Sequence, residues 1–408
     1  MANVSSSNGL EKRPKLRFPG FNEPWKETQL ASYLSENTER NKRLTFSKED
    51  VLSVSGEFGI VNQIEFQGRS FAGESVADYH VVETGDIVYT KSPLKANPYG
   101  IIKVNNGCPG IVSTLYAVYH PQNNVKPQFI DYYFANDLRL NKFLKPLVNI
   151  GAKHDMKVNN QFVLTGEVVF PLLAEQDKIV SFLAVIDEKI QKQKLLIETL
   201  KKYKRGVMQS IFRHSSQDGW NTVKLGTIFK KVSRRNTNGG IKNVITNSAE
   251  YGLIPQRDFF DKDIAVDGNT SNYYVIDEGD FVYNPRKSNT APYGPFNRYT
   301  LKEKGIISPL YTCLVLQADI NPAYLAWYFK SDAWYRYIYD NGSQGVRHDR
   351  VSMTDDLLMG IPVSFPVISK QRKIAELLDA IEYRQSAAQS EYDMMIKLRN
   401  GFMQQLFT

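Results

Sequence analysis

The sequence predicts an α+β protein built twice over, with two tandem domains of mixed strands and helices, each followed by one long helix. Two observations predict it: a self-similarity at an offset of about 195 residues, and a heptad pattern inside each copy. The run Phe170 to Ile179 (FPLLAEQDKI) returns as Phe365 to Ile374 (FPVISKQRKI), and Gly206 to Phe212 (GVMQSIF) returns as Gly401 to Phe407 (GFMQQLF). Both matches hold one offset without a gap, the signature of a duplicated unit.

Between those matches the apolar residues step by four and three. Ile179, Leu183, Ile186, Ile190, Ile197 and Leu200 form the seam in the first copy, with Gln193, Lys204, Val207 and Ile211 in phase. Ile374, Leu378, Ile381, Tyr392, Met395 and Phe402 hold the same places in the second, with Gln385, Ala388, Arg399 and Leu406. A 3.5-residue period kept over four heptads is a coiled-coil seam, so the two helices are expected to pack on each other. Pro171 and Pro366 stand just ahead, where proline is tolerated at a helix start. A seam of roughly 33 residues makes a rod of about 50 Å.

The repeat reaches beyond the rods. Trp25 is answered by Trp220, and Gly85-Asp86-Ile87-Val88-Tyr89 by Gly279-Asp280-Phe281-Val282-Tyr283. Leu115-Tyr116 is answered by Leu310-Tyr311, and His154-Asp155 by His348-Asp349. Strands are expected over 79–89, 111–119, 274–283 and 306–316, where β-branched and aromatic residues gather around a Gly-Asp turn. Helical spacing covers 129–144 and 323–338. The expected organisation is a flexible tail over 1–15, one domain over 16–170 and a helix over 171–213. A second domain follows over 214–365 and a second helix over 366–408, with a short polar linker at 213–219.

Composition narrows the class. A chain of 408 residues is long for one core, and 42% hydrophobic residues are too many for a disordered one. Cys108 and Cys313 are the only cysteines, which leaves no disulfide framework and suits a reducing cytoplasm. No run approaches 18 apolar residues and the N-terminus lacks an apolar core, which argues against membrane spanning and secretion. The net charge of +8 points toward an anionic partner, nucleic acid being the commonest.

The basic residues sit in loops. In the first half they are Arg69, Lys91, Lys95, Lys153 and Lys157, with His154 beside them. In the second they are Arg234, Arg235, Arg257, Arg286, Lys287, Arg347 and Arg350, with His348. Several stand among Ser, Asn, Gln and Tyr, a mixture that suits a DNA face: cations neutralise phosphates, and Arg, Asn and Gln reach base edges. The bland reading is a solvated basic surface, and the duplication of the arrangement weighs against it.

Nothing in the sequence does chemistry by itself. A His beside an Asp in sequence is not oriented by it, and neither His-Asp pair has a nucleophile or metal cluster for company. Asn97-Pro98-Tyr99-Gly100 lacks the second proline of the amino-methyltransferase motif, and its copy, Ala291-Pro292-Tyr293-Gly294, lacks the asparagine, so it reads as a turn. Asp187-Glu188-Lys189 lies on the rod without a convergent acid. There is no GxxxxGK[ST] loop, which excludes an ATP motor in this chain. No metal site is expected.

Taken together, the LRFPGF run at 16–21, Trp25 and Trp220, the Gln-x-Lys-Ile helix starts at 176–179 and 371–374, and the duplication resemble the specificity subunit of type I restriction–modification systems. The resemblance covers nearly the whole chain. It implies two target-recognition domains, and two spacer helices that pair antiparallel as a coiled coil. Each domain would read one half of an asymmetric bipartite DNA target. The helices would set the half-site gap, a turn or so of DNA at about 34–36 Å per turn. It also implies no catalysis by this chain, and partners comprising two methyltransferase subunits and two restriction–translocase subunits. S-adenosylmethionine, ATP and Mg2+ would belong to those partners. The outward lysines Lys189, Lys192, Lys194, Lys201 and Lys202 are free to dock them. A rival reading is a coiled-coil protein adaptor that ignores DNA.

Overall fold

The computed structural model describes residues 13–150, 156–213, 219–258, 270–342 and 349–407. The chain divides into two compact units, one formed by 1–193 with 391–408 and the other by 194–390. Most of the expected tail at 1–15, and all but the ends of the expected linker at 213–219, lie outside the described residues.

In the first unit a four-stranded antiparallel sheet runs in the order Leu34–Asn37, Tyr116–Pro121, Ile87–Thr90, Ile102–Val104. The second repeats it with Phe229–Val232, Thr312–Leu316, Phe281–Tyr283 and Phe296–Arg298. Register is repeated as well: Ile87 faces Tyr119, and its counterpart Phe281 faces Leu314. A separate strand pair closes each unit, Lys26 opposite Phe170 and Asn221 opposite Phe365. Each unit therefore ties its first strand to the segment that enters the long helix.

The Gly-Asp repeat has a local cause. Gly85 and Gly279 both sit at φ +94°, a conformation glycine adopts without strain. The following aspartate folds back on the turn, Asp86 Oδ2 accepting from the Glu83 N–H at 2.8 Å and Asp280 Oδ2 from the Asp277 N–H at 2.9 Å. Burial pushes both carboxyls up. Each has a basic side chain as partner, but a different one: His120 Nδ1 at 2.5 Å from Asp86, and Arg234 at Asp280.

Two expected helices break in half. The run over 129–144 is Pro127–Phe134 followed by Asp137–Leu144, because Asn136 caps the second by accepting from the Arg139 N–H at 3.0 Å. The run over 323–338 is likewise Pro322–Lys330 and Tyr335–Asn341. The strands expected over 111–119 and 306–316 are each interrupted, Ser113 and Ser308 turning the chain so that Leu115 and Leu310 stand exposed.

The long helices are Leu173–Arg213 and Ile368–Leu406, of 41 and 39 residues. They pair antiparallel. In the first unit Asp187 meets Arg399 at 2.5 Å and Gln193 Nε2 donates to Glu391 Oε2 at 3.1 Å, so that advance along one helix is retreat along the other. In the second unit Lys204 meets Glu382 at 2.5 Å. Ile179, Leu183, Ile190, Ile197, Ile374, Leu378 and Ile381 are buried. Ile186, Leu200, Tyr392, Met395 and Phe402 are half-buried.

The Gln-x-Lys-Ile starts have a structural reason. Gln176 is 0% exposed; its Oε1 accepts the Lys126 N–H at 2.9 Å while its Nε2 donates to the Pro171 carbonyl at 3.0 Å. Gln371 does the same between the Asn321 N–H and the Pro366 carbonyl, at 2.8 Å each. Lys126 and Asn321 are the N-caps of the helices Pro127–Phe134 and Pro322–Lys330. One buried amide thus fastens the start of each long helix to the start of a core helix. Gln176→Met keeps the volume but leaves a buried N–H and a carbonyl unpaired. It is expected to destabilise the chain by about 1–3 kcal/mol, read as a lowered denaturant midpoint.

Candidate nucleic-acid interface

In the second unit two candidate stretches, distant in sequence, come together. The Lys287 N–H donates to the Asp349 carbonyl at 2.9 Å, and the Val351 N–H donates to the Pro285 carbonyl at 2.9 Å. Arg286 and Arg350 are thereby bridged across two strand-like segments. Their guanidinium groups share one carboxylate, Asp349, at 3.8 and 3.7 Å. Such long, solvent-exposed pairs contribute little, which leaves both arginines able to reach an outside anion. Below them lies a buried asparagine network. Asn297 Nδ2 donates to Asn247 Oδ1 at 2.8 Å, Asn247 Nδ2 donates to the Val282 carbonyl at 2.9 Å, and Asn284 Oδ1 accepts the Arg286 N–H at 3.0 Å. The arginines therefore rise from a stiff base.

The other second-half candidates differ among themselves. Arg234, though exposed, is held by Asp277 at 2.6 Å and by Asp280, so it serves the Gly-Asp turn. Arg235 is exposed and donates to Asn272 Oδ1 at 2.8 Å. Arg257 is exposed on the short turn Gln256–Asp258. Arg347 and His348 lie outside the described residues.

In the first unit, Arg69 stacks its guanidinium 4.6 Å from the centre of the Phe71 ring, and both side chains are exposed. Lys95 is exposed. Lys91, which the gapless match of 85–100 to 279–294 sets opposite Pro285, is half-buried: its Nζ donates to Asn160 Oδ1 at 3.2 Å, and Asn160 Nδ2 donates to Glu36 Oε1 at 2.8 Å. Burial and the Arg40 charge lower its pKa. Lys157 lies on the two-residue strand Met156–Lys157, while Lys153 and His154 lie outside the described residues.

Two features escape a search for cations. Phe58 and Phe66 pair at 5.4 Å between ring centres and are exposed, near the hairpin Leu52–Ser55/Gly59–Asn62. Aromatic side chains left in water beside a basic loop offer stacking surfaces for bases. Phe58 just before Gly59, a glycine at φ +72°, is the sequence signal for a hairpin-tip aromatic. The second feature is His80, whose buried Nδ1 has no hydrogen-bond partner. Burial, then the charges of Arg40 and Lys91, lower its pKa to about 4.

Asn97-Pro98-Tyr99-Gly100 is a turn. The Gly100 N–H donates to the Asn97 carbonyl at 3.0 Å, and Asn97 Nδ2 donates to Asp137. Gly100 and Gly294 sit at φ +89° and +85°, and a Cβ on either would lie 2.0 Å from a backbone oxygen. Among the described residues no group of three or more His, Cys, Asp or Glu could hold a metal ion, and no helix is long and apolar enough to cross a membrane.

No protein-family model and no curated protein matches the sequence. Solved structures do match in fold. One, from a study of complex assembly and conformational transition of the type I restriction–modification system, covers 97% of this chain and 99% of its own, at 16% identity and a TM-score of 0.54. Another, the type I restriction–modification S subunit from M. genitalium, covers 97% and 99% at 14% identity and a TM-score of 0.52. The chain has the two-domain α+β fold of the type I specificity subunit, HsdS.

His80 yields a pH dependence with a definite sign. Its folded pKa lies below the ordinary histidine value of 6.5, so the stability it contributes is whole above that value and is lost as pH falls toward about 4. His80→Gln is expected to abolish that part of the acid slope, up to about 3 kcal/mol. Denaturant titrations of both proteins between pH 7 and 4 read the difference, and parallel curves would exclude it.

Proposed function

We propose that this chain is the DNA-sequence-recognition subunit of a type I restriction–modification complex. Each globular half reads one half of an asymmetric bipartite target, and the paired helices set the spacing between the half-sites. Duplication with divergence carries the reading: one scaffold is kept twice, down to strand register, while the loops above it differ. Where the first half has Lys91-Ser92, the second has Pro285-Arg286, and only the second presents an exposed arginine there. Similar scaffolds with unlike loops suit two unlike half-sites.

The helices also dock methyltransferase subunits. Support comes from apolar side chains left in water on the long helices. Val185, Met394 and Leu398 are exposed in the first unit, and Leu195, Tyr203, Leu377 and Tyr383 in the second. A lysine stands among them: Lys192 pairs with Glu188 on its own helix. Exposed apolar surface of this kind marks protein contacts. The chain is not itself an enzyme; methylation from S-adenosylmethionine and ATP- and Mg2+-dependent cleavage belong to two methyltransferase and two restriction subunits, in the cytoplasm.

Adenine methylation is the direct test. A map of methyladenine in cells with this chain and its methyltransferase partner should show a split motif that vanishes when the chain is deleted. An unchanged map would favour a protein adaptor without DNA specificity. Against that motif, Arg286→Ala is expected to cost about 1–3 kcal/mol in affinity and to relax discrimination in one half-site only. Equal loss on duplexes altered in either half would contradict a separate reader in each half.

A further inference from the structure

The second unit holds a basic cleft that neither the recognition loops nor the helix seam explains. It encloses about 310 Å³; the long helix lines it with Lys201, Lys204 and Arg205, the end of the helix Pro322–Lys330 and the residues after it supply Lys330 and Asp332, and the loop of Arg286 supplies Thr290. Lys204 is spoken for by Glu382, and Asp332 meets Arg213 at 3.7 Å in a solvent-exposed pair of little strength. Lys201 has Glu198 at 3.7 Å on its own helix, an exposed pair of little strength. Lys330 holds its ammonium 4.5 Å from the centre of the Trp327 ring. Arg205 has no carboxylate partner among the described residues.

The duplication separates what the fold needs from what it does not. Lys204 is answered in the other copy by Arg399, and both make the interhelix ion pair. At the same offset, Lys201, Arg205 and Lys330 are answered by Ile396, Asn400 and Ala135. The same helix pairing is built without these three cations, so folding does not account for them. Simple solvation of the helix would scatter them; instead they line one concavity, beside the loop that carries Arg286 and Lys287.

We propose that this cleft grips the DNA backbone beside the second half-site, with Lys201, Arg205 and Lys330 contacting phosphates. The inference rests on the DNA-reading function above. Thr290 makes the link: a duplex read by the Arg286 loop carries its backbone past the cleft. Contacts of this kind fix register and orientation but carry no sequence information. Their contribution grows as salt falls, because each neutralised phosphate releases counterions.

The test uses the full chain with its methyltransferase partner, comparing wild type with a Lys201→Gln/Arg205→Gln double variant. Affinity is measured from 50 to 200 mM salt on a duplex bearing the mapped motif and on a random duplex of equal length. Lys204 is left in place so that the helix pairing is untouched. The slope of log affinity against log salt should become shallower by about two. The wild-type advantage then shrinks roughly tenfold over that salt range, equally on both duplexes, with the methylated motif unchanged. Lys330→Gln alone should remove about one from the slope. Unchanged slopes, while the wild type still prefers the motif, would overturn the cleft and leave the reader intact. Loss of the methyltransferase partner with unchanged slopes would make the cleft a protein contact and overturn it too. A wild type that binds no DNA would overturn both.

Discussion

The structure depends on an antiparallel contact between two helices that begin in different halves of the sequence. Each long helix starts in one compact unit and ends in the other. Phe407, at the end of the second helix, packs on Trp25, Phe129 and Tyr133 in the first core; Phe212, at the end of the first, packs on Tyr324 and Tyr328 in the second. Neither core is complete without the far end of the helix that began elsewhere. Direction and register are fixed by the polar members of the seam. Asp187–Arg399 and Glu382–Lys204 are one ion pair written twice with its partners exchanged, each residue standing 195 positions from its counterpart. A charge left facing an apolar hole in any other register is costly, and a few such polar positions are how a seam selects a single pairing.

Much of this was legible in the sequence because it repeats. The offset, the heptads and the Gly-Asp turns are local patterns with one physical solution each. Gln176 and Gln371 were visible as repeated letters, but their work was not: each bonds a backbone N–H some 50 positions away, and no local pattern encodes that distance. A helix ends inside an unbroken apolar pattern where a side chain outcompetes continuation. Asn136 sits inside an apolar periodicity, yet its carboxamide bonds the Arg139 N–H and starts a new helix.

The interface was legible only as an inventory of cations. Charge alone does not distinguish Arg234, held by two aspartates, from Arg286, whose nearest carboxylate is 3.8 Å away and shared. Nor does it show that Lys91 is tied into the Asn160–Glu36 network while Arg286 stands exposed. Those distinctions arise from strand pairing across the chain, which sets which cations meet acids. Phe58 and Phe66 escaped for the converse reason: apolar residues are assigned to cores by default, and their exposure appears only once the hairpin is built.

The same comparison explains why a duplicated scaffold suits divided labour. Strand register, turn, amide clamp and interhelix ion pair constrain both copies alike, so substitution at those places acts on folding twice over. The loops and the outer helix faces carry no such constraint, and there the copies part: Lys91-Ser92 against Pro285-Arg286, Ile396 against Lys201, Asn400 against Arg205. A difference between copies that the shared fold does not require is information about what lies outside the chain.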